Sequence, residues 1–166
     1  MNGLKRYWIP VVAFVLLCGS IWTAPQAHAA AAQPAVSTLV AIRAAYHPEA
    51  CRRYDRVVFQ FSGPVPRISA AGYVNQLTGD PSGMPVPIQG HAIFRITMRP
   101  AQAHNDQGQS TATTRIYGRL RNVRQIKNAG DFEAVLTYGI GLRHKSKVRV
   151  FTLTNPSRVV VDFLNP

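Results

Sequence analysis

The sequence predicts an all-β domain of two packed sheets, sandwich-like, preceded by a signal peptide. Three observations lead to this fold class. Apolar residues recur with a period of two along most of the chain after residue 37, which is typical of strands buried on one face. Turn-forming residues separate these stretches at short intervals. No stretch after residue 29 shows twelve residues of helical periodicity, and short strands with regular turns are typical of sandwiches.

The first 29 residues have the three parts of a secretory signal peptide. Lys5 and Arg6 give a positive start, an uncharged and mostly apolar run covers residues 7–22, and Ala27-His28-Ala29 fits the A-x-A cleavage pattern. Proline and glycine interrupt the run, whereas a membrane anchor needs about 20 apolar residues. We therefore expect cleavage near Ala29, and retention of the signal as a membrane anchor is the alternative.

The composition limits the function classes to which the chain can belong. Of its 166 residues, 46% are hydrophobic and 16% are charged, which is too apolar for a disordered polycation. Lys and Arg total 19 against 7 Asp and Glu, and removal of Lys5 and Arg6 with the signal leaves a net charge of +10. Because hydrolases and metal sites usually draw on carboxylates, this shortage of acids favours binding over catalysis.

The domain is predicted over residues 38–165, after an Ala-, Gln- and Pro-rich lead-in at 30–37 that we expect to be flexible. Strands are predicted wherever apolar residues alternate with polar ones or β-branched residues cluster. Their apolar residues are, in chain order, Val40, Ile42 and Ala44; Val57, Phe59 and Phe61; Phe94, Ile96 and Met98; Ile116 and Leu120; Ala134, Leu136, Tyr138, Ile140 and Leu142; and those of 148–153 and 159–163. Residues 68–77 form a weaker candidate. Turn chemistry marks residues 62–64, 79–83, 128–131 and 155–156.

Two further features of the chain have open interpretations. The polar connection at residues 100–114 has no apolar pattern, and loops of this length are usually either functional or disordered. Residues 56–64 and 158–166 share Arg, Val, Val, Phe and Pro at identical spacing. This echo fits a duplicated two-sheet architecture, and it also fits strands that simply draw on the same residue types.

Cys51 is the one cysteine left after removal of the signal peptide, since the other is Cys18. Export implies an oxidising compartment, in which cysteines tend to pair. Without a second cysteine no internal disulfide is expected. Cys51 either cross-links to a partner or is a small residue in a loop or core position.

Two pairs of residues deserve a test as catalytic or metal-binding groups. His104 and Asp106 form a His-x-Asp pair, but zinc sites need three or four ligands at recognisable spacings, which the sequence lacks. Asp131 and Glu133 could form a carboxylate pair of the kind that glycosidases use, but at the junction of a turn and a strand we expect them to cap the turn and point into water. Nucleophile-elbow and phosphate-loop motifs are absent from the sequence. We therefore predict no catalytic residue, metal or cofactor.

The positive charge follows a period of two in two segments. Each segment, if it is a strand, presents a row on one side of its sheet and turns its apolar residues to the core. Such rows attract anions, although a single row also serves as a merely solvated surface. The predicted binding residues for an anionic polymer are Arg115, Tyr117, Arg119 and Arg121 in the first row, and Arg143, Lys145, Lys147 and Arg149 in the second.

The partner of these rows is predicted from export. Nucleic acid is the usual partner of a basic protein, but an exported chain does not meet it. The abundant polyanions outside a bacterial cell are wall polymers that carry carboxylates or phosphates. The sequence therefore predicts a wall polymer rather than nucleic acid, and contact with the membrane only through an uncleaved signal.

Four stretches carry a resemblance to a known family. They are YDRVVFQFSG at 54–63, GDFE at 130–133, GIG at 139–141 and VFTLTNPSRVVVD at 150–162. With them the chain resembles the AMIN-like domains of exported actinobacterial proteins, which are similar to the AMIN module beside the catalytic domains of N-acetylmuramoyl-L-alanine amidases. The resemblance covers residues 38–165. It implies an all-β fold of two packed sheets and a role in binding or localising to the cell wall, and it supplies neither a catalytic site nor binding residues.

Taken together, these observations predict an exported, non-enzymatic module of the cell envelope. Its expected partner is the cell wall, through peptidoglycan or anionic wall polymers, or another envelope protein, and we expect it to act without an attached catalytic domain. Two alternatives stay open. One is a small secreted wall hydrolase that uses Asp131 and Glu133 or His104 and Asp106. The other is a protein–protein adaptor at the outer membrane face, in which the cationic rows only maintain solubility.

Overall fold

The computed structural model describes residues 35–49 and 52–165. The predictions for the signal peptide, for most of the lead-in and for Cys51 lie outside these residues. The described part of the chain contains ten strands: β1 (Ser37–Glu49), β2 (Arg52–Ser62), β3 (Arg67–Val74), β4 (Ala92–Arg99), β5 (Ala101–Gln102), β6 (Thr113–Tyr117), β7 (Val123–Phe132), β8 (Val135–Leu142), β9 (Val148–Leu153) and β10 (Arg158–Asn165). Among the described residues, no helix is long and apolar enough to cross a membrane.

The strands form two sheets, as predicted. Sheet A has six strands in the order β5-β1-β2-β10-β9, with β6 also paired to β1. Both β5 and β6 run parallel to β1, whereas the pairs β1–β2, β2–β10 and β10–β9 are antiparallel. Sheet B has four antiparallel strands in the order β3-β4-β8-β7.

The core lies between the inner faces of the two sheets. Phe59 of sheet A contacts Tyr138 of sheet B at a ring-centroid distance of 5.2 Å, and Phe94 of sheet B meets Phe163 of sheet A edge-on at 5.5 Å. Burial raises the pKa of Tyr138. The predicted apolar faces of β2, β4 and β8 are all buried here, with Ala134 as the exception, because it lies in the turn before β8.

The predicted face of β1 is wrong at one position. Leu39 is buried where the alternation predicted Val40, while Ile42 and Ala44 are buried as expected. A register shift between Leu39 and Ala41 explains the difference. A bulge inserts one extra residue into the strand, so the side-chain period changes phase across it.

β7 has no counterpart among the predicted strands, and the predicted turn at residues 128–131 is wrong. These residues lie inside the strand, and bulges near Val123 and Asn128 break the alternation that would reveal it. The chain turns instead at Glu133 and Ala134, whose φ values are 47° and 56°. Both values lie in the left-handed region that residues other than glycine seldom adopt. The residue types at these two positions therefore do not predict the turn.

The segment 75–91 lies against the outer face of sheet B. Its Leu77 is buried over Gly139, and the Gln89 carbonyl lies over Gly141. A Cβ atom at either glycine would overlap with these atoms. The two glycines of β8 therefore let the segment approach the sheet closely, and β8 is buried on both faces.

The Asp55 carboxylate is fully buried and holds the connection between β6 and β7. The backbone N–H groups of Arg121, Asn122 and Val123 donate to it at 3.1, 2.6 and 2.8 Å. A buried carboxylate is tolerated when hydrogen bonds replace its water, and this one attaches the start of β7 to sheet A.

The two segments of the sequence echo are neighbouring strands. β2 and β10 pair antiparallel, with Val58 opposite Val160 and Arg56 opposite Asp162. Arg158, the counterpart of Arg56 in the echo, lies opposite Gln60, the counterpart of Asp162. The two segments are therefore related by a local two-fold axis near the Val58–Val160 pair. This symmetry fits the interpretation that one segment is a duplicate of the other.

We predict that Gly141→Ala destabilises the domain by about 1–3 kcal/mol, the usual effect of overpacking. The added methyl group would meet the Gln89 backbone carbonyl, which cannot move away without lifting the segment 75–91. The control is Gly72→Ala, where nothing lies within 4 Å of the new atom. Urea unfolding of the purified protein measures both variants, and equal stabilities would contradict the close approach.

We predict that Asp55→Ala lowers the free energy of unfolding by about 3 kcal/mol or more, because it leaves three backbone donors unpaired at about 1–3 kcal/mol each. Asp106→Ala, at an exposed aspartate, is expected to stay within about 0.5 kcal/mol of the parent. Denaturant midpoints with unchanged slopes make the comparison. A small loss for Asp55→Ala would show that the β6–β7 connection is held by other contacts.

Candidate functional site

The first predicted cationic row is divided by the end of β6. The strand ends at Tyr117, and Gly118 follows with a φ of 69°, which turns the chain away. Arg115 and Tyr117 lie on the strand, whereas Arg119 and Arg121 lie in the following connection. The prediction of one row from 115 to 121 is therefore wrong, since a period of two has meaning only within a strand.

The apolar partners of this row are also placed differently from the prediction. Ile116 is 54% exposed, because β6 lies at the edge of sheet A, outside β1. All five residues of β6 are exposed. Leu120 is half-buried and packs against the core from the connection.

The second predicted row is also not a strand over most of its length. β8 ends at Leu142 and β9 begins at Val148, so Arg143, Lys145 and Lys147 belong to the connection and only Arg149 lies on a strand. Asn122 holds this connection, since its side chain donates to the His144 carbonyl and accepts from the His144 N–H at 3.2 and 3.1 Å.

Arg115 and Tyr117 belong to a basic surface at the edge of sheet A. Arg43 and Arg115 are register partners on β1 and β6, and Ala45 lies opposite Tyr117. Register partners point to the same side of a sheet. We call this surface the basic edge, a shallow depression of about 400 Å³ lined by Ala41, Arg43, Thr113, Arg115 and Tyr117.

The two arginines of the basic edge are neighbours on adjacent strands, and no acid neutralises them. Neither takes part in an ion pair with a carboxylate of the described residues. Like charges on neighbouring positions of adjacent strands repel each other. Folding therefore gives no reason for this pair, whereas an anion bound between the guanidinium groups would be attracted by both.

The centre of the same sheet face carries arginines that are neutralised. Arg56 binds Asp162 through two hydrogen bonds of 2.6 and 2.8 Å, which raise the pKa of the guanidinium. Arg149, from the second predicted row, lies 3.8 Å from Asp162 and 5.1 Å from the Phe151 ring centroid. Asp162 thus offsets positive charge here and leaves the basic edge as the less compensated part of the sheet.

The other predicted cations are dispersed. Arg121 lies over the Tyr46 ring at 5.2 Å, in a depression shared with Arg53 and His144, and Lys145 lies 5.7 Å from the Tyr73 ring centroid. The structure therefore does not bring the eight predicted residues together. It brings together Arg115 and Tyr117, with Arg43 as an addition.

A larger depression lies on the outer face of sheet B. We call it the sheet B groove; its volume is about 820 Å³, within the range of ligand sites. Arg95 and Thr137 hold Asp80 in its wall, at 2.6 and 2.7 Å. The lining residues are Ser69 to Val74 of β3, Asp80 and Pro81, Arg95, Thr97 and Arg99 of β4, and Phe132, Glu133 and Val135 at and beside the β7–β8 turn.

His104 and Asp131 meet, although each was predicted with a different partner. His104 Nδ1 lies 2.6 Å from Asp131 Oδ2, and the Ala103 N–H donates to the same oxygen at 2.9 Å. Asp131 is thus largely buried and connects β7 to the segment after β5. The expectation that it points into water is wrong. Among the hydrogen bonds of the described residues, none joins His104 to a hydroxyl or thiol side chain that could act as a nucleophile.

The connection at residues 100–114 is ordered, which removes the interpretation as a disordered loop. It contains β5, the start of β6 and an isolated bridge between His104 and Ser110. No group of three His, Cys, Asp or Glu side chains that could hold a metal ion occurs within residues 35–49 and 52–165.

Comparison with known proteins identifies the family. The AMIN-like domain family matches residues 37–165, which is most of the chain. The chain belongs to the AMIN-like domain family. No curated protein and no solved structure matches it. Membership suggests an extracellular module associated with peptidoglycan, and AMIN-like domains are generally non-catalytic modules of binding or localisation.

One part of the groove in this AMIN-like domain can be recognised in the sequence. Arg95 and Arg99 alternate with the apolar residues of β4, so their place on the outer face was predictable. The pattern does not show that this face is the floor of a deep groove. The segment 75–91 and the β7–β8 turn supply the walls of the groove, and both are distant from β4 in sequence.

We predict that Arg115→Thr raises the free energy of unfolding by about 0.2–0.5 kcal/mol, because it relieves the repulsion with Arg43 and keeps a residue suited to a strand. Arg119→Thr, in the connection outside the strand, is the matched control and should leave the stability unchanged. Denaturant unfolding at low salt measures both. Added salt should shrink the difference, and a loss of stability in Arg115→Thr would contradict the argument.

Proposed function

We propose that this AMIN-like domain is an exported, non-catalytic module that binds an anionic polymer of the cell wall through the basic edge. The observation that carries the proposal is the pair of arginines in register, Arg43 and Arg115, which line one depression without an acid to neutralise them. The extracytoplasmic location rests on the signal-like amino terminus and on family membership.

The geometry of the basic edge suits a linear polymer. Its cations lie on exposed strand positions at the rim of sheet A and line a shallow depression. Guanidinium groups match carboxylate and phosphate oxygens with two parallel hydrogen bonds. Tyr117 is 52% exposed beside them and offers a ring for contact with the apolar face of a sugar.

The choice of an anion over a neutral ligand follows from the charge of the domain. Arginine and lysine outnumber acids by 19 to 7 in the chain, and five of the acids are engaged with the protein itself, namely Glu49, Asp55, Asp80, Asp131 and Asp162. The resulting positive field concentrates polyanions near the protein and speeds their encounter. Peptidoglycan carboxylates and wall-polymer phosphates share this chemistry.

Co-sedimentation with purified sacculi tests the proposal. We expect binding at low salt that weakens as salt rises, since exposed charges are screened within about 8–10 Å at physiological ionic strength. The double variant Arg43→Ala with Arg115→Ala should lower the affinity about fivefold to tenfold, at up to about 1 kcal/mol for each exposed contact.

The matched control removes two of the predicted cations outside the basic edge, with Arg143→Ala and Lys147→Ala. It lowers the net charge equally, so an equal loss of binding would show that only the overall charge matters. Sacculi stripped of phosphate polymers separate the two anion sources. Failure to sediment at low salt would overturn wall binding, and release of soluble muropeptides would indicate a hydrolase instead.

A further inference from the structure

β3 forms one edge of sheet B, and β4 is its neighbour on the other side. An edge strand keeps a row of N–H and C=O groups free for pairing with another chain. Six consecutive residues of this strand, 69–74, line the sheet B groove. At about 3.3 Å per residue, these six residues extend for about 20 Å.

This edge is poorly protected. Proteins usually shield an edge with charged side chains, proline or a bulge. β3 has a bulge between Ile68 and Ala70, but the five residues after it carry no charge and no proline. Ser69, Ala70 and Ala71 are exposed and small, so their side chains leave the backbone accessible.

The groove also has room for side chains of a ligand. Around the position of a Cβ atom on Gly72, nothing lies within 4 Å. Phe132, at the opposite wall, is 52% exposed and offers an apolar ring. It precedes the two-residue turn of Glu133 and Ala134, which joins β7 to β8 and holds Phe132 at this wall.

The charge of the groove is uneven along its length. Arg95 is neutralised by Asp80 in the middle. At one end Arg99 lies directly opposite Arg67 on β3, and neither forms an ion pair with a described carboxylate. This is a second pair of arginines in register, and because Glu133 also lines the groove, the remaining positive charge suits one carboxylate rather than a polyanion.

We propose that the open edge of β3 binds an extended segment of a partner protein as an added strand, whose outward side chains enter the sheet B groove across β3 and place one carboxylate beside Arg67 and towards Arg99. Backbone pairing gives such a ligand its affinity, and alternate side chains give specificity. One face of the segment packs a bulky apolar residue over Gly72 towards Phe132. This surface is distinct from the basic edge, so the proposal goes beyond the proposed function.

The regular edge favours a protein segment over a wall peptide. Strand pairing requires successive residues to place their N–H and C=O groups alternately on the two sides of the chain. Wall peptides, whose residues alternate in chirality and include side-chain linkages, do not keep this spacing. They serve as the competing ligand in the test.

Peptides with N-methyl groups test the strand addition. The probes are capped peptides of about six residues, the length of the open edge, which alternate valine and threonine and carry glutamate at either the first or the last position. Each is made in two further forms, N-methylated at the odd or at the even residues. We expect one methylated form to lose binding and the other to keep it, since only one side of a strand pairs with β3.

Amide chemical shifts of the isotopically labelled protein locate the binding. We expect shifts in residues 69–74 and near Arg99, and a loss of about fivefold in affinity for Arg99→Ala, the range of an exposed ion pair. Arg43→Ala, at the basic edge, should bind the peptide as the parent does. The urea midpoints of both variants show that they are folded.

Four results would overturn the proposal. They are the absence of shifts at millimolar peptide, shifts confined to other surfaces, equal binding of the two methylated forms, and tighter binding of a wall peptide in the groove. The last result would assign the groove to the wall. Because sacculus binding is tested through Arg43 and Arg115, either proposal can fail without the other.

Discussion

The scarcity of carboxylates is the constraint on which the rest of this structure depends. Four of the seven acids hold junctions between elements. Asp55 attaches the start of β7 to sheet A, and Asp80 fastens the segment 75–91 to sheet B. Asp131 joins the connection after β5 to β7, and Asp162 neutralises Arg56 within sheet A. Each of these carboxylates accepts two or more hydrogen bonds or ion pairs, so it is not available to cations elsewhere.

Two pairs of arginines that lack such partners and lie in register on adjacent strands define the two candidate surfaces. Arg43 pairs with Arg115 at the edge of sheet A, and Arg67 pairs with Arg99 at the end of the sheet B groove. Both pairs oppose folding slightly, and this makes them better indicators of binding than a count of basic residues. Their surroundings differ, because the basic edge is open and uniformly positive whereas the groove has an exposed strand edge, an aromatic wall and a neutralised centre. Two chemically distinct partners therefore suit one small domain.

The strands were predictable wherever they are regular. The alternation in β2, β4 and β8 located their buried faces correctly, because a period of two maps directly onto the two sides of a sheet. It failed at Leu39 and through β7, where bulges change the phase. It also failed where like-signed residues alternate by chance in a connection, as at Arg143 to Lys147. An alternation of polar residues does not require burial on one side of a sheet. It is therefore weaker evidence for a strand than an alternation of apolar residues.

The sequence by itself determined the fold class, the AMIN-like resemblance and the excess of positive charge, since these depend on residue types and their local spacing. Only the tertiary structure decided which cations face each other, because Arg43 and Arg115 are 72 positions apart in the sequence and meet only through the parallel pairing of β1 with β6. The groove has the same origin. Its floor, walls and open edge come from four separate segments. The residue pattern within one segment does not determine which strands become neighbours in a sheet.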